Sequence, residues 1–168
     1  MARPKMEIQR GRLSMRIAEH TMRFLRVRAS VLGDSPNVYI EEAMKNLLEM
    51  TRDMKRIKTF GLVSNPAKAK RIPISIMIKK EVIEQVRTLA KCVDVPFAEV
   101  TEKAIAIMIH SDMDKIRAGQ AGKLDCKVIL EAYADYHNEE QRLSRNILAG
   151  YAKEAKEIEA KQQENPLK

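Results

Sequence analysis

Arg12, Ser14 and Arg16 occupy every second position of "GRLSMRI", alternating with Leu13, Met15 and Ile17. Side chains two apart share one face of a strand. The pattern therefore predicts a short strand with one apolar face and one face of guanidinium and hydroxyl groups. Those groups donate hydrogen bonds and attract anions. Residues that could make or break bonds are not arranged to do so. Cys92 and Cys126 form no CxxC and no metal-ligand spacing, and read as free structural thiols. His20, His110 and His137 are scattered, with no HExxH, no Gly-rich phosphate loop and no nucleophile motif nearby. The expectation is a binding protein, not an enzyme, with no cofactor and no metal.

The 168 residues suffice for one ordinary domain or two very small ones plus a tail. Ten Met, no Trp and three Phe point to an aliphatic core, and six Gly with six Pro argue against long β-meanders. No apolar run approaches the ~18 residues a membrane span needs. The start, "MARPKMEIQRGR", has no apolar segment behind its charges, so it does not read as a secretory signal. A cytoplasmic location is expected.

The net charge of +8 is unevenly spread. Residues 1–71 hold 16 Lys/Arg and 7 Asp/Glu, whereas residues 72–168 hold 15 and 16. Such a basic half is the footprint of a segment that meets a polyanion.

A second alternating strand, Ile72, Ile74, Ile76 and Ile78, opens the stretch 71–109. Helical spacing follows in Ile83, Val86, Ala90 and Val93. After "DVP" it resumes in Val100, Ala104, Ile105 and Met108. Shifted by 61 positions, this stretch lies without a gap on Leu13, Met15 and Ile17, then Met22, Leu25, Ala29 and Leu32, then Tyr39, Ala43, Met44 and Leu47. The breaks "GDSPN" and "DVPFA" also correspond; Pro36 and Pro96 suit a first helical turn, and Ser35 an N-cap. Each strand–helix–helix unit of about 40 residues is too small to bury a core alone. A lone strand also leaves both edges unpaired. Pairing the two strands as an antiparallel ribbon over four helices answers both needs. The predicted organisation is a basic arm (1–10), copy one (11–50), a linker (51–70), copy two (71–112) and a helical C-terminal tail (113–168). The 20-residue linker can extend to ~65 Å, more than enough to join the copies.

Strand, helix, turn and helix at these lengths resemble the ribbon-helix-helix DNA-binding proteins of the Arc/MetJ type. The resemblance covers about half the chain. Two copies in tandem resemble the smaller TraY-like set among conjugative-plasmid transfer proteins, in which one chain supplies both halves. It implies a mainly α fold with a short two-stranded ribbon, a pseudo-dimer within one chain. It also implies that the ribbon enters the major groove of double-stranded DNA with its outward side chains at base edges. Carried over position by position, the readers are Arg12, Ser14 and Arg16, with Ser75 and Met77 from the second copy. Arg suits the paired acceptors of guanine, and Ser serves donors or acceptors.

The second copy departs from the first. Its outward positions are Pro73, Ser75 and Met77, flanked by Arg71 and Lys79. Either the ribbon reads a non-palindromic site chiefly through copy one, which is the favoured reading, or copy two is mainly a folding partner. The resemblance further implies phosphate anchoring at the start of the second helix, here Ser35, Pro36 and Asn37, with Pro96, Phe97 and Ala98 in copy two. Arg3, Lys5 and Arg10 form a basic arm for the DNA backbone or a flanking minor groove, and Arg71 and Lys79, which flank the second strand, are further backbone contacts. Linker cations Lys55, Arg56, Lys58, Lys68 and Lys70 add attraction blind to sequence, or simply a solvated connector.

Beyond a hinge at "RAGQAGK" (117–123), residues 124–161 read as one long helix or two, with a stripe of Ile129, Tyr133, Tyr136, Leu143, Ile147 and Tyr151 interrupted by Glu140. This tail either folds against the body or binds a second copy or a protein partner. Two uses of DNA binding fit: a transcriptional repressor, or an accessory protein of the relaxosome at a plasmid transfer origin. A different class is an antitoxin or adaptor whose tail grips a protein.

Overall fold

The computed structural model describes residues 7–52 and 69–164. Their order is β1 (Arg10–Ala18), α1 (Glu19–Leu32), α2 (Pro36–Thr51), β2 (Arg71–Lys79), α3 (Lys80–Val93), α4 (Phe97–Arg117), a single 3-10 turn at Gly122–Leu124, and α5 (Lys127–Glu164). Arg3, Lys5, Lys55, Arg56, Lys58 and Lys68 lie outside the described residues.

β1 and β2 form one antiparallel pair, from Arg10 opposite Lys79 to Ala18 opposite Arg71. Ser14 faces Ser75 at its centre. These serines are separated by the repeat offset of 61, so equivalent residues of the two copies meet there and at no other pair. The inward residues Leu13, Ile17, Ile76 and Ile78 are buried and cap the helical layer. Gly11 is also inward; a Cβ there would lie 3.1 Å from Lys80 Cγ and 3.3 Å from Ile83 Cδ1.

Below the strands, the helical apolar stripes converge on one core. Met22, Leu25, Tyr39, Ala43, Met44 and Leu47 meet Ile83, Val86, Ala90, Val100, Ala104 and Ile105 there. Both first helices end alike. Gly33 and Asp94, again 61 apart, take left-handed conformations at φ 67° and 55°. The amide after each closes back on the first helix: Asp34 N on Ala29 O at 2.9 Å, and Val95 N on Ala90 O at 3.1 Å. These 6→1 bonds belong to the Schellman stop, which wants Gly and tolerates Asp. Pro36 is the first residue of α2, as expected for a ring without an N–H. Pro96 differs: it precedes α4 as its N-cap.

The tail is one helix of 38 residues. Ile129, Tyr136 and Leu143 are buried. Tyr136 packs on Phe24 (ring centroids 5.8 Å apart) and stacks on His20 (5.5 Å). Glu140, which breaks the stripe in sequence, bonds His20 Nε2. Copy two has Glu81 and Gln85 where copy one has His20 and Phe24, so α5 covers α1 and not α3. No described helix is long and apolar enough to cross a membrane.

Candidate nucleic-acid interface

The pleat sends Arg10, Arg12, Ser14 and Arg16 of β1 outward beside Pro73, Ser75, Met77 and Lys79 of β2. All are exposed except Lys79, which is half-buried. Cross-strand pairs are Arg10 with Lys79, Arg12 with Met77, Ser14 with Ser75, and Arg16 with Pro73. The five sequence-derived readers thus share one surface, with Met77 45% exposed beside Arg12.

Internal bonds hold these side chains in place. Arg12 Nε donates to Ser75 Oγ at 2.8 Å, a bond that uses one edge of the guanidinium. Arg16 Nη2 donates to Arg71 O at 3.1 Å. Arg71 itself is tied down: its Nη1 and Nη2 donate to Glu102 Oε1 and Oε2, both at 2.9 Å. This bidentate fork fixes Arg71 at the ribbon end. Arg10 Nη1 lies 3.3 Å from Glu41 Oε2 with half its side chain exposed.

Glu41 and Glu102 were not singled out in the sequence, yet they too are separated by the repeat offset. Glu41 accepts the Lys79 amide at 3.3 Å, and Glu102 accepts the Ala18 amide at 2.7 Å. Each carboxylate therefore binds the arginine that begins its own strand and the last amide of the opposite strand. The signal that could have found them was an acid recurring at the same place in two otherwise apolar helix faces.

Their surroundings set opposite titrations. Burial opposes ionisation of Glu41, but bonds from Lys45 and the Lys79 amide, with the Lys45 and Arg10 charges, hold its carboxyl below the usual range. At Glu102, burial outweighs the Ala18 amide and the Arg71 charge and pushes the carboxyl up. A lowered folded pKa gives stability that is present above the unfolded value and lost on acidification; a raised one gives stability lost as pH rises through it. Glu41→Gln is expected to cost about 1–3 kcal/mol at neutral pH. That deficit should shrink below the ordinary glutamate value of ~4.3, whereas the deficit of Glu102→Gln should grow on acidification. Urea midpoints at neutral and acidic pH, compared with wild type, read both trends.

At the start of α2, Ser35 holds the N-cap position but makes no side-chain cap bond. Instead the Asp34 carboxylate accepts the Ser35 amide at 2.8 Å. Ser35 is exposed and Asn37 half-buried. Pro36 has no N–H and the Val38 amide donates to Ser35 O at 3.2 Å, so an anion here would meet the Asn37 amide and the Asp34 charge together. Lys70, the described linker cation, pairs with Glu19 at 3.5 Å. Among the described residues, no three His, Cys, Asp or Glu side chains are grouped to hold a metal ion.

Compared with protein-family models, curated proteins and solved structures, the chain matches none.

Proposed function

We propose that the chain is a sequence-specific duplex DNA-binding protein of tandem ribbon-helix-helix type, whose paired strands lie in a major groove. The observation that carries this reading is the outward face of the ribbon. Arg12, Ser14, Arg16 and Ser75 present guanidinium and hydroxyl groups side by side, with bonds on Arg12 and Arg16 that fix their direction. A two-stranded ribbon fits the major groove, and Arg reads guanine there. Arg10 and Lys79 sit at one end of that face for phosphate contact, and Arg71 lies at the other, held by Glu102. The role is transcriptional regulation or marking of a plasmid transfer origin. The position of the site, at a promoter or at an origin, distinguishes the two.

The test is binding to genomic fragments around the protein's own gene at two salt concentrations, for wild type and Arg12→Ala/Arg16→Ala. Each lost base contact removes ~1–3 kcal/mol of discrimination, so the double variant should weaken the specific site by on the order of 100-fold and random DNA far less. Both side chains are exposed, so its unfolding midpoint should stay close to wild type. Equal, steeply salt-dependent binding to every fragment would reduce the ribbon to phosphate attraction. No binding at all would remove the DNA reading.

A further inference from the structure

The face of α5 that packs on the body is not the face that stays apolar beyond it. The packed seam runs through Ile129, Tyr136, Leu143 and Ile147, then turns to Gly150, Glu154, Glu157 and Lys161 at the same spacing. Side chains from Leu148 to Gln163 are all exposed. Leu148, Tyr151, Ala155 and Ile158 keep an apolar heptad spacing one residue round the helix, turned by ~100°. Leu148, Tyr151 and Ile158 are 66%, 58% and 56% exposed. Traced back, the same face passes Ser144 and Gln141. These two, with Arg145, Lys103 and Ile107, line an open groove between α4 and α5. Groove and stripe form one continuous track, and in proteins most helical stability comes from packing such an apolar face.

We infer that this track is covered by the same segment of a second copy, running antiparallel. Laid antiparallel about Lys153, Leu148 meets Ile158 of the second copy and Tyr151 meets its Ala155. Symmetry repeats both, giving four apolar layers with a large side chain opposite a small one in two of them. The flanking charges choose the direction. Antiparallel pairing sets Arg145 beside Glu159 of the other copy twice, and brings the two Glu154 side chains together once. Parallel pairing sets Glu154 against Glu159 on both flanks, and its one opposite pair, Glu140 with Arg145, draws on a carboxylate already bonded to His20. In the antiparallel register Gln162 of each helix comes level with Ser144 of the other, so the helix end reaches the groove lined by Lys103, Glu140 and Arg145. This pairing is independent of what the ribbon binds.

Sedimentation velocity of the full chain over a concentration series tests the pairing. Wild type should dimerise, and Ile158→Glu should weaken the dimer at least ~10-fold, about 1.4 kcal/mol, while leaving the helical circular dichroism of the monomer unchanged. Arg145→Glu should weaken it as well, and adding Glu159→Arg should restore it. In a Cys92→Ser/Cys126→Ser background, oxidised Glu154→Cys should give covalent dimers and Ile158→Cys should not. A wild type that stays monomeric at high micromolar concentration overturns the inference. So does the reverse cross-linking pattern, which would mean parallel helices, or a charge swap that fails to restore the dimer.

Discussion

Asp112→Ala should destabilise the fold by about 3–5 kcal/mol, the cost of leaving a buried charge without its partner. Asp112 and Arg28 have side chains 8% and 11% exposed and lie 3.2 Å apart, with the Tyr39 hydroxyl donating to the same carboxylate oxygen at 2.9 Å. The Arg28 guanidinium also sits 4.0 Å above the Tyr39 ring. Burial first, and the Asp112 charge second, hold the Tyr39 hydroxyl protonated far above the usual phenol range. The hydroxyl keeps its proton and donates it to Asp112, and the carboxylate accepts from both partners. Removing Asp112 strands two buried donors, one of them charged. Removing Arg28 as well should recover most of the loss, because burying the charge without a counter-ion is the expensive part. Leu is the natural replacement, since Leu89 is its counterpart in the repeat. A double-mutant cycle in urea reads this. A single Asp112→Ala variant within ~0.5 kcal/mol of wild type, the range of an unremarkable surface change, would mean the triad contributes nothing.

Two truncations of α5 should differ sharply. Among the described residues, ending the chain at Ile147 removes only exposed side chains, and at concentrations too low for self-association stability should move by less than ~0.5 kcal/mol. Ending it at Cys126 removes the buried Ile129, Tyr136 and Leu143 and uncovers Phe24, which packs on Tyr136 and is 2% exposed in the intact fold. At ~1.5–3 kcal/mol per buried apolar side chain, the loss is on the order of 5 kcal/mol, comparable to the whole margin of a small domain. Thermal unfolding of the two truncations compared with the full chain checks this. Equal midpoints would show that α5 does not support the body.

The strand period of two, the helical stripes and the 61-residue offset were legible because burial imposes them residue by residue. They led to two antiparallel strands with Arg12, Ser14 and Arg16 outward, and β1 and β2 pair in that sense, with Ser14 opposite Ser75. Long-range polar partners were not legible. Arg28 aligns with Leu89 and Asp112 with Thr51, so the repeat itself hides the triad; it forms only once α1, α2 and α4 meet. Glu140 looked like a flaw in an apolar stripe because its partner, His20, stands 120 residues earlier. The second face of α1, His20 with Phe24, is absent from the repeat for the same reason: it exists only to meet α5.

The two copies meet at Ser14 and Ser75, but Arg12 and Arg16 of the first stand where the second has Pro73 and Met77, so the ribbon has a centre but not two equal ends. One end carries Arg10, Arg12 and Lys79 around Met77; the other carries Arg16 and a restrained Arg71 around Pro73. A dimer of identical chains would look the same after half a turn and could only mark a point. This chain carries an arrow, so anything laid along its ribbon is held with a head and a tail.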